Sequence, residues 1–172
     1  GVDRLDAMLI PVLDAAHAGA APLVLARVPT RRILVPAGRV VSPLLRRWLE
    51  DWRREGRQIV ELAEGDEGVL AGDAVWDVWH PPRTASFARS AEAGLWLRVA
   101  RGRLTILLAG TAVPTQVSSI ERIPFDPIAS VVLLERAASA EDQRWLNLLG
   151  TARVIEHVRA QGNPPASPLV LR

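Results

Sequence analysis

Apolar positions come in short runs along this chain, and their spacing switches between the period of a strand and that of a helix. Leu5 to Val12 is a short apolar run, and Asp14 after it can cap a helix reaching about Val28. Arg32 to Pro36 reads as a short buried strand closed by Pro36 and Gly38. Ser42 then opens a helix: it is a capping residue, Pro43 follows at the first helical position, and Leu45, Trp48, Leu49 and Trp52 recur at i, i+3, i+4 and i+7. Gly56 ends that helix. The middle of the chain reads as β. Arg57 to Leu62 alternates, Ala74 to Trp79 is strand-like, and His80-Pro81-Pro82 stops it. After a polar stretch, Arg83 to Glu92, the runs Gly94 to Ala100 and Arg103 to Ala109 flank a turn at Arg101-Gly102 and predict a hairpin. Further on, Pro114 to Arg122 reads as a short helix, Ser130 to Leu134 as a buried strand, Ala140 to Leu149 as a helix and Thr151 to Val158 as a last strand. Residues 1–172 read as one domain, with a Pro-rich irregular tail at 162–172. Helices mixed with a central β block predict an α/β layered fold.

Composition narrows the possibilities. The chain has 172 residues, 49% of them hydrophobic, enough for a sizeable core. All 21 basic residues are arginine, against 19 acids, so the formal charge is only +2. With no Lys, Tyr or Cys, almost nothing titrates between the histidines and the arginines. The isoelectric point near 10.7 reflects that gap rather than a strongly basic protein. A nucleic-acid-coating protein would carry a large net charge as well. A local basic patch stays open. No apolar run approaches the ~18 residues of a membrane span; the best, Ala15 to Ala26, holds Gly19 and Pro22. The acids Asp3 and Asp6 and the lack of a small-residue cleavage pattern argue against a signal peptide. Without cysteine there is no disulfide, thiolate or cysteine-zinc chemistry.

Several segments together carry a resemblance. Leu5-Asp6-Ala7-Met8-Leu9-Ile10-Pro11-Val12-Leu13-Asp14-Ala15-Ala16-His17-Ala18-Gly19 is similar to the metallo-β-lactamase signature strand and loop, T-H-x-[HD]-x-D-H followed by a glycine and a helix. It resembles more narrowly the extracytoplasmic metallo-β-lactamase-like domain of ComEC-type DNA-internalisation (competence) proteins. Pro29 to Pro36, Arg57 to Asp66, Asp73 to Pro82 and the Ala93 to Gly110 hairpin resemble that domain's later segments in the same order, so the likeness covers about Arg4 to Leu149. It implies an αββα layered sandwich truncated at the N-terminal strands, since this chain begins past them. It also implies a place on the extracytoplasmic face of the cell membrane, as the soluble part of a larger protein whose transmembrane channel portion would be a partner.

The same resemblance implies the loss of the family's chemistry here. Intact members bind zinc through His and Asp around an activated water. On the motif, the first His position is Val12, the next ligand position is Asp14, the Asp of the second metal is Ala16 and the closing His is His17. The family's T-G-D at the hairpin's end is Ala109-Gly110-Thr111. Its V-P-H-H-G-S falls at Leu134-Glu135-Arg136-Ala137-Ala138-Ser139, and its N-x-x-G-H-P at best on Gly162-Asn163-Pro164-Pro165, with no His in either. Only Asp14 and His17 remain, and catalytic zinc sites use three protein ligands. His80 and His157 sit in other segments and supply no i, i+4 partner. The expectation is a catalytically inactive domain with no metal, no cofactor and no small-molecule substrate. Asp14 and His17 read equally as a helix cap and a first-turn histidine, and His80 as a packed strand end.

Position changes the meaning of the arginines. Arg27, Arg31, Arg32, Arg39, Arg46, Arg47, Arg53 and Arg54 fall in one stretch closed by Arg57, whose acids are Glu50, Asp51 and Glu55 alone. Glu50 and Arg54 form an i, i+4 pair, and a merely solvated helix face would look the same. Clustered cations are also what contact with a DNA phosphate backbone requires. Trp48 and Trp52 fall on the apolar face, and Trp76 and Trp79, three apart on a strand, face opposite sides, which leaves one of them room to be exposed. Two other readings stay open: a metal-dependent nuclease or phosphodiesterase using Asp14 and His17, and a protein-interaction domain with an open sheet edge.

Overall fold

The computed structural model describes residues 3–38, 42–70, 73–84, 86–87, 89–111, 131–134, 140, 143, 146–147 and 154–156. Its first sheet is three-stranded and parallel, in the order β1 (Leu5–Leu9), β2 (Thr30–Pro36), β3 (Gln58–Leu62). Helix α1 (Ala21–Arg27) connects β1 to β2, and α2 (Pro43–Arg54) connects β2 to β3. The second sheet has six strands in sequential order: β4 (Glu67–Val69), β5 (Val75–His80), β6 (Trp96–Arg101), β7 (Leu104–Ala109), β8 (Val131–Leu134) and β9 (Val154–Glu156). It is antiparallel from β4 to β7 and parallel from β7 to β9.

Side-chain alternation builds two cores. On the first sheet Met8, Ile33, Val35 and Ile59 point toward the helices and pack with Leu25, Leu45, Leu49 and Trp52. Their neighbours Leu9, Leu34, Val60 and Leu62 point the other way and meet Trp76, Val78, Leu97, Val99 and Leu108 of the second sheet. The period of two thus places the three-stranded sheet between helices and second sheet, burying both its faces. Helix α2 follows its sequence pattern. Ser42 accepts the Leu45 amide on Oγ at 3.3 Å, Pro43 lies in the first turn, and Leu45, Leu49 and Trp52 are buried. Each of those three contributes roughly 1.5–3 kcal/mol or more by burial. Among the described residues no helix is long and apolar enough to cross a membrane.

Four sequence expectations need correction. The helix expected from Asp14 to Val28 begins only at Ala21; residues 12–20 make turns. Pro22 is the reason, since it has no N–H and its ring clashes with the preceding turn, so it fits a first helical turn and not a helix interior. Strand β4 went unseen because it is three residues long around Gly68. There a Cβ would lie 2.8 Å from the Trp76 indole, so only glycine lets that ring lie across the strand. The hairpin closes one residue later than expected, with Arg101 paired to Leu104 around Gly102-Arg103. Neither Trp76 nor Trp79 is exposed: Trp76 packs between the sheets, while Trp79 is 8% exposed on the other face with the Arg98 guanidinium 5.8 Å from its ring. The helix expected at Pro114–Arg122 and the tail at 162–172 lie outside the described residues.

Candidate functional site

The loop after β1 is held between the sheets by backbone hydrogen bonds. The Ile10 amide donates to the Leu34 carbonyl at 2.9 Å, and Leu95, just before β6, donates to the Pro11 carbonyl at 2.8 Å. Val12 and Leu13 follow, both 0% exposed. The position where the resemblance asks for a first metal-ligating histidine is therefore a packed valine. Asp14 and His17 are brought together at the surface. One Asp14 carboxylate oxygen accepts the His17 amide at 2.7 Å, and Nδ1 of the imidazole lies 2.8 and 2.7 Å from the two oxygens. The Ala18 amide donates to the Asp14 carbonyl at 3.2 Å, which completes one turn. Asp14 caps that turn, so the capping reading holds locally although the helix starts later.

The end of β7 closes the same region. The Gly110 amide donates to the Leu95 carbonyl at 2.9 Å, and a Cβ on Gly110 would stand 2.5 Å from that oxygen. This glycine is required by the close approach of two backbones. The motif position beside it that would carry a carboxylate is Thr111. His80, at the end of β5, is fully buried, with Nε2 hydrogen-bonded to the Glu92 carbonyl at 2.7 Å and its ring edge-on to Phe87 at 5.5 Å. It is a packed strand-end residue. Among the described residues no three His, Asp, Glu or Cys side chains are grouped so as to hold a metal ion, and Asp14 with His17 supplies two of the three protein ligands a catalytic zinc uses. His157 and residues 135–139 and 162–165 lie outside the described residues.

The arginines gather at the opposite end of the parallel sheet, where β1, β2 and β3 begin. Arg31 and Arg32 are exposed on β2, Arg27 ends α1 two residues before that strand, and Arg53 and Arg54 end α2 before β3. Arg46 and Arg47 are exposed about two turns, or roughly 10 Å, back toward the start of α2, away from that end. Arg39 lies outside the described residues. Arg54 pairs with Asp51 at 2.8 Å, at i, i+3, rather than with Glu50. Arg57 is the most enclosed of the group, its side chain 19% exposed, paired with Glu55 and donating to the Leu25 carbonyl at 3.2 Å. Arg4, which the sequence pattern did not single out, stands at the start of β1 beside Asp6, 3.6 Å away. Its signal was its place one residue before a strand, as Arg57 stands one residue before β3 and Arg31 one residue into β2.

No family model matches the chain, and no curated protein matches it. Among solved structures it is similar to a mutant of the CmlA β-hydroxylase, with a TM-score of 0.50 at 19% identity over 76% of this chain and 26% of that one. The structure of CmlA, a diiron β-hydroxylase from Streptomyces venezuelae, aligns with a TM-score of 0.49 at 18% identity over 86% of this chain and 29% of that one. The chain spans little more than a quarter of the length of either. At this identity the likeness is one of fold: an α/β arrangement of the metallo-β-lactamase-like kind.

Proposed function

We propose that this chain is a non-hydrolytic metallo-β-lactamase-like domain with a structural or DNA-guiding role, within a larger DNA-uptake protein of the ComEC type. The observation that carries the reading is the packed loop after β1. Val12 is sealed in the core, and Asp14 and His17 are turned onto each other. A carboxylate and an imidazole alone leave too few ligands to fix a metal with an open position for water. The domain's remaining asset for DNA is its arginine-rich end, which offers cations to phosphates with no aromatic platform for bases. Metal analysis of purified protein, with a nuclease assay in Mn²⁺ and Zn²⁺, tests the reading. The expected result is substoichiometric metal and no cleavage. One tightly held metal per chain would replace it with the metal-dependent nuclease.

A second reading has its own observation. Among the described residues β1 pairs with β2 alone, so its other edge presents unpaired backbone groups that a partner strand could extend. Light scattering after size exclusion separates this role, expected as self-association or partner capture, from a monomeric DNA-guiding domain.

A further inference from the structure

The geometry points to a phosphate-binding pocket at the strand-start end of the parallel sheet, built by Arg4, Arg31 and Arg57. A groove of about 480 Å³ opens there, lined by these three arginines together with Asp6, Thr30 and Glu55. Its size is that of a small-ligand site. The register explains why the cations converge. Leu5 pairs with Thr30 and Arg32 with Gln58, so Arg31 and Arg57 stand side by side with Asp6 of β1 level with them, and Arg4 precedes β1 level with Pro29, at the rim of the same groove. Arg31 and Arg57 share the face of Ile33 and Ile59, toward the helices. Like charges set opposite each other on neighbouring strands destabilise a sheet unless something of opposite sign lies between them.

The acids on hand cover part of that charge. Glu55 pairs with the enclosed Arg57, and Asp6 pairs with Arg4 on exposed side chains. Arg31 has no ion pair with any described residue. Arg57 is pre-set by its bond to the Leu25 carbonyl, so its planar fork loses little freedom when an oxyanion binds. Arg27 at the end of α1, Arg32 on β2 and Arg53 and Arg54 at the end of α2 are exposed and lie close in the chain to the groove's lining residues. A tetrahedral phosphate oxyanion is the group that several guanidinium forks at one place recognise. In a DNA strand the flanking arginines would take the neighbouring phosphates, and this arm rests on the DNA-guiding reading above. Free phosphate or pyrophosphate needs the groove alone.

The test uses the full chain and two probes. A labelled single-stranded oligonucleotide is titrated by anisotropy over a salt series, and pyrophosphate is titrated by amide chemical shifts at Arg31, Gly56 and Arg57. Arg31→Glu should weaken both by roughly tenfold, the scale of one charge-assisted hydrogen bond, and should flatten the salt slope by about 1 or more. Arg31→Gln should weaken both less. Arg89→Glu, the same charge change at an exposed bend in the connection between β5 and β6, should leave pyrophosphate binding unchanged and lower DNA affinity little. If DNA binds and the two reversals weaken it equally, with no pyrophosphate shifts, the pocket is overturned and the DNA-guiding reading stands. If pyrophosphate binds at these amides but DNA does not, the pocket stands and that reading falls. If neither probe binds the wild-type chain, both fall.

Discussion

The two ends of the three-stranded sheet have opposite characters. At the end where its strands finish, the loop after β1 is packed shut: Val12 and Leu13 are fully buried, Gly110 lies against the Leu95 backbone, and Asp14 and His17 satisfy each other. At the end where the strands start, Arg4, Arg31 and Arg57 line an open groove, and Arg27, Arg53 and Arg54 are exposed at the helix ends that lead into it. In open α/β sheets ligands ordinarily bind beyond the carboxyl ends of the strands. Here, among the described residues, the backbone at that end is packed, with Asp14 and His17 paired at its surface, while the arginine groove lies at the amino ends. Stability and binding should therefore divide between the ends, so that variants at one end unfold the protein and variants at the other change only what it binds.

The largest effect should come from Leu13→Ala. Leu13 is fully buried within the helix-side core, so truncation should cost about 2–5 kcal/mol in urea unfolding through lost burial and a residual cavity. Gly110→Ala should follow at about 1–3 kcal/mol, because its methyl would have to displace the Leu95 carbonyl, which is backbone and cannot swing aside. Arg31→Glu, at the other end, should leave the unfolding midpoint almost unmoved, as exposed substitutions usually do within about 0.5 kcal/mol. A loss at Arg31 as large as that at Leu13 would break the contrast, since it would make the arginine end part of the structural core.

Much of this division was legible in the sequence, and what was not had local causes. Helix α2 was clear because its cap, its Pro43 and its apolar spacing agree. The strands Arg32 to Pro36 and Arg57 to Leu62 were clear because their runs are short, apolar and bounded by glycine or proline. Val12 and Ala109-Gly110-Thr111 could be set against the resembling motif directly, because that comparison depends on residue identity alone. The late start of α1 was misread by giving the Asp14 cap more weight than Pro22. Strand β4 was missed because a glycine under a tryptophan leaves no hydrophobic period to read. The arginine groove was half visible: the charge run 27–57 stood out, but it is parallel register that sets Arg57 beside Arg31 and the start of β1, with Arg4, against the start of β2. Register follows from long-range pairing that no local pattern encodes.

The smallest effect on stability is the sharpest test of the contrast, because it should reverse sign between folding and binding. Asp51 holds Arg54 at 2.8 Å on the solvent side of α2, in the last turns of the helix. Asp51→Ala removes an exposed ion pair worth at most about 1 kcal/mol. The same change removes a carboxylate from the negative end of the helix dipole and installs the best helix former, which offsets the loss. The net change in unfolding free energy should stay within about 0.5 kcal/mol. Binding should respond the other way: Arg54 loses its partner, the positive surface beside the groove gains one net charge, and oligonucleotide affinity at low salt should rise with a slope steeper by up to about 1. Urea unfolding and anisotropy on the same preparation read both quantities. Unchanged affinity would mean that α2 lies outside the phosphate path and would confine recognition to the groove at Arg31, whereas a fall in affinity would show that the arginine end needs its acids to hold the cations in place.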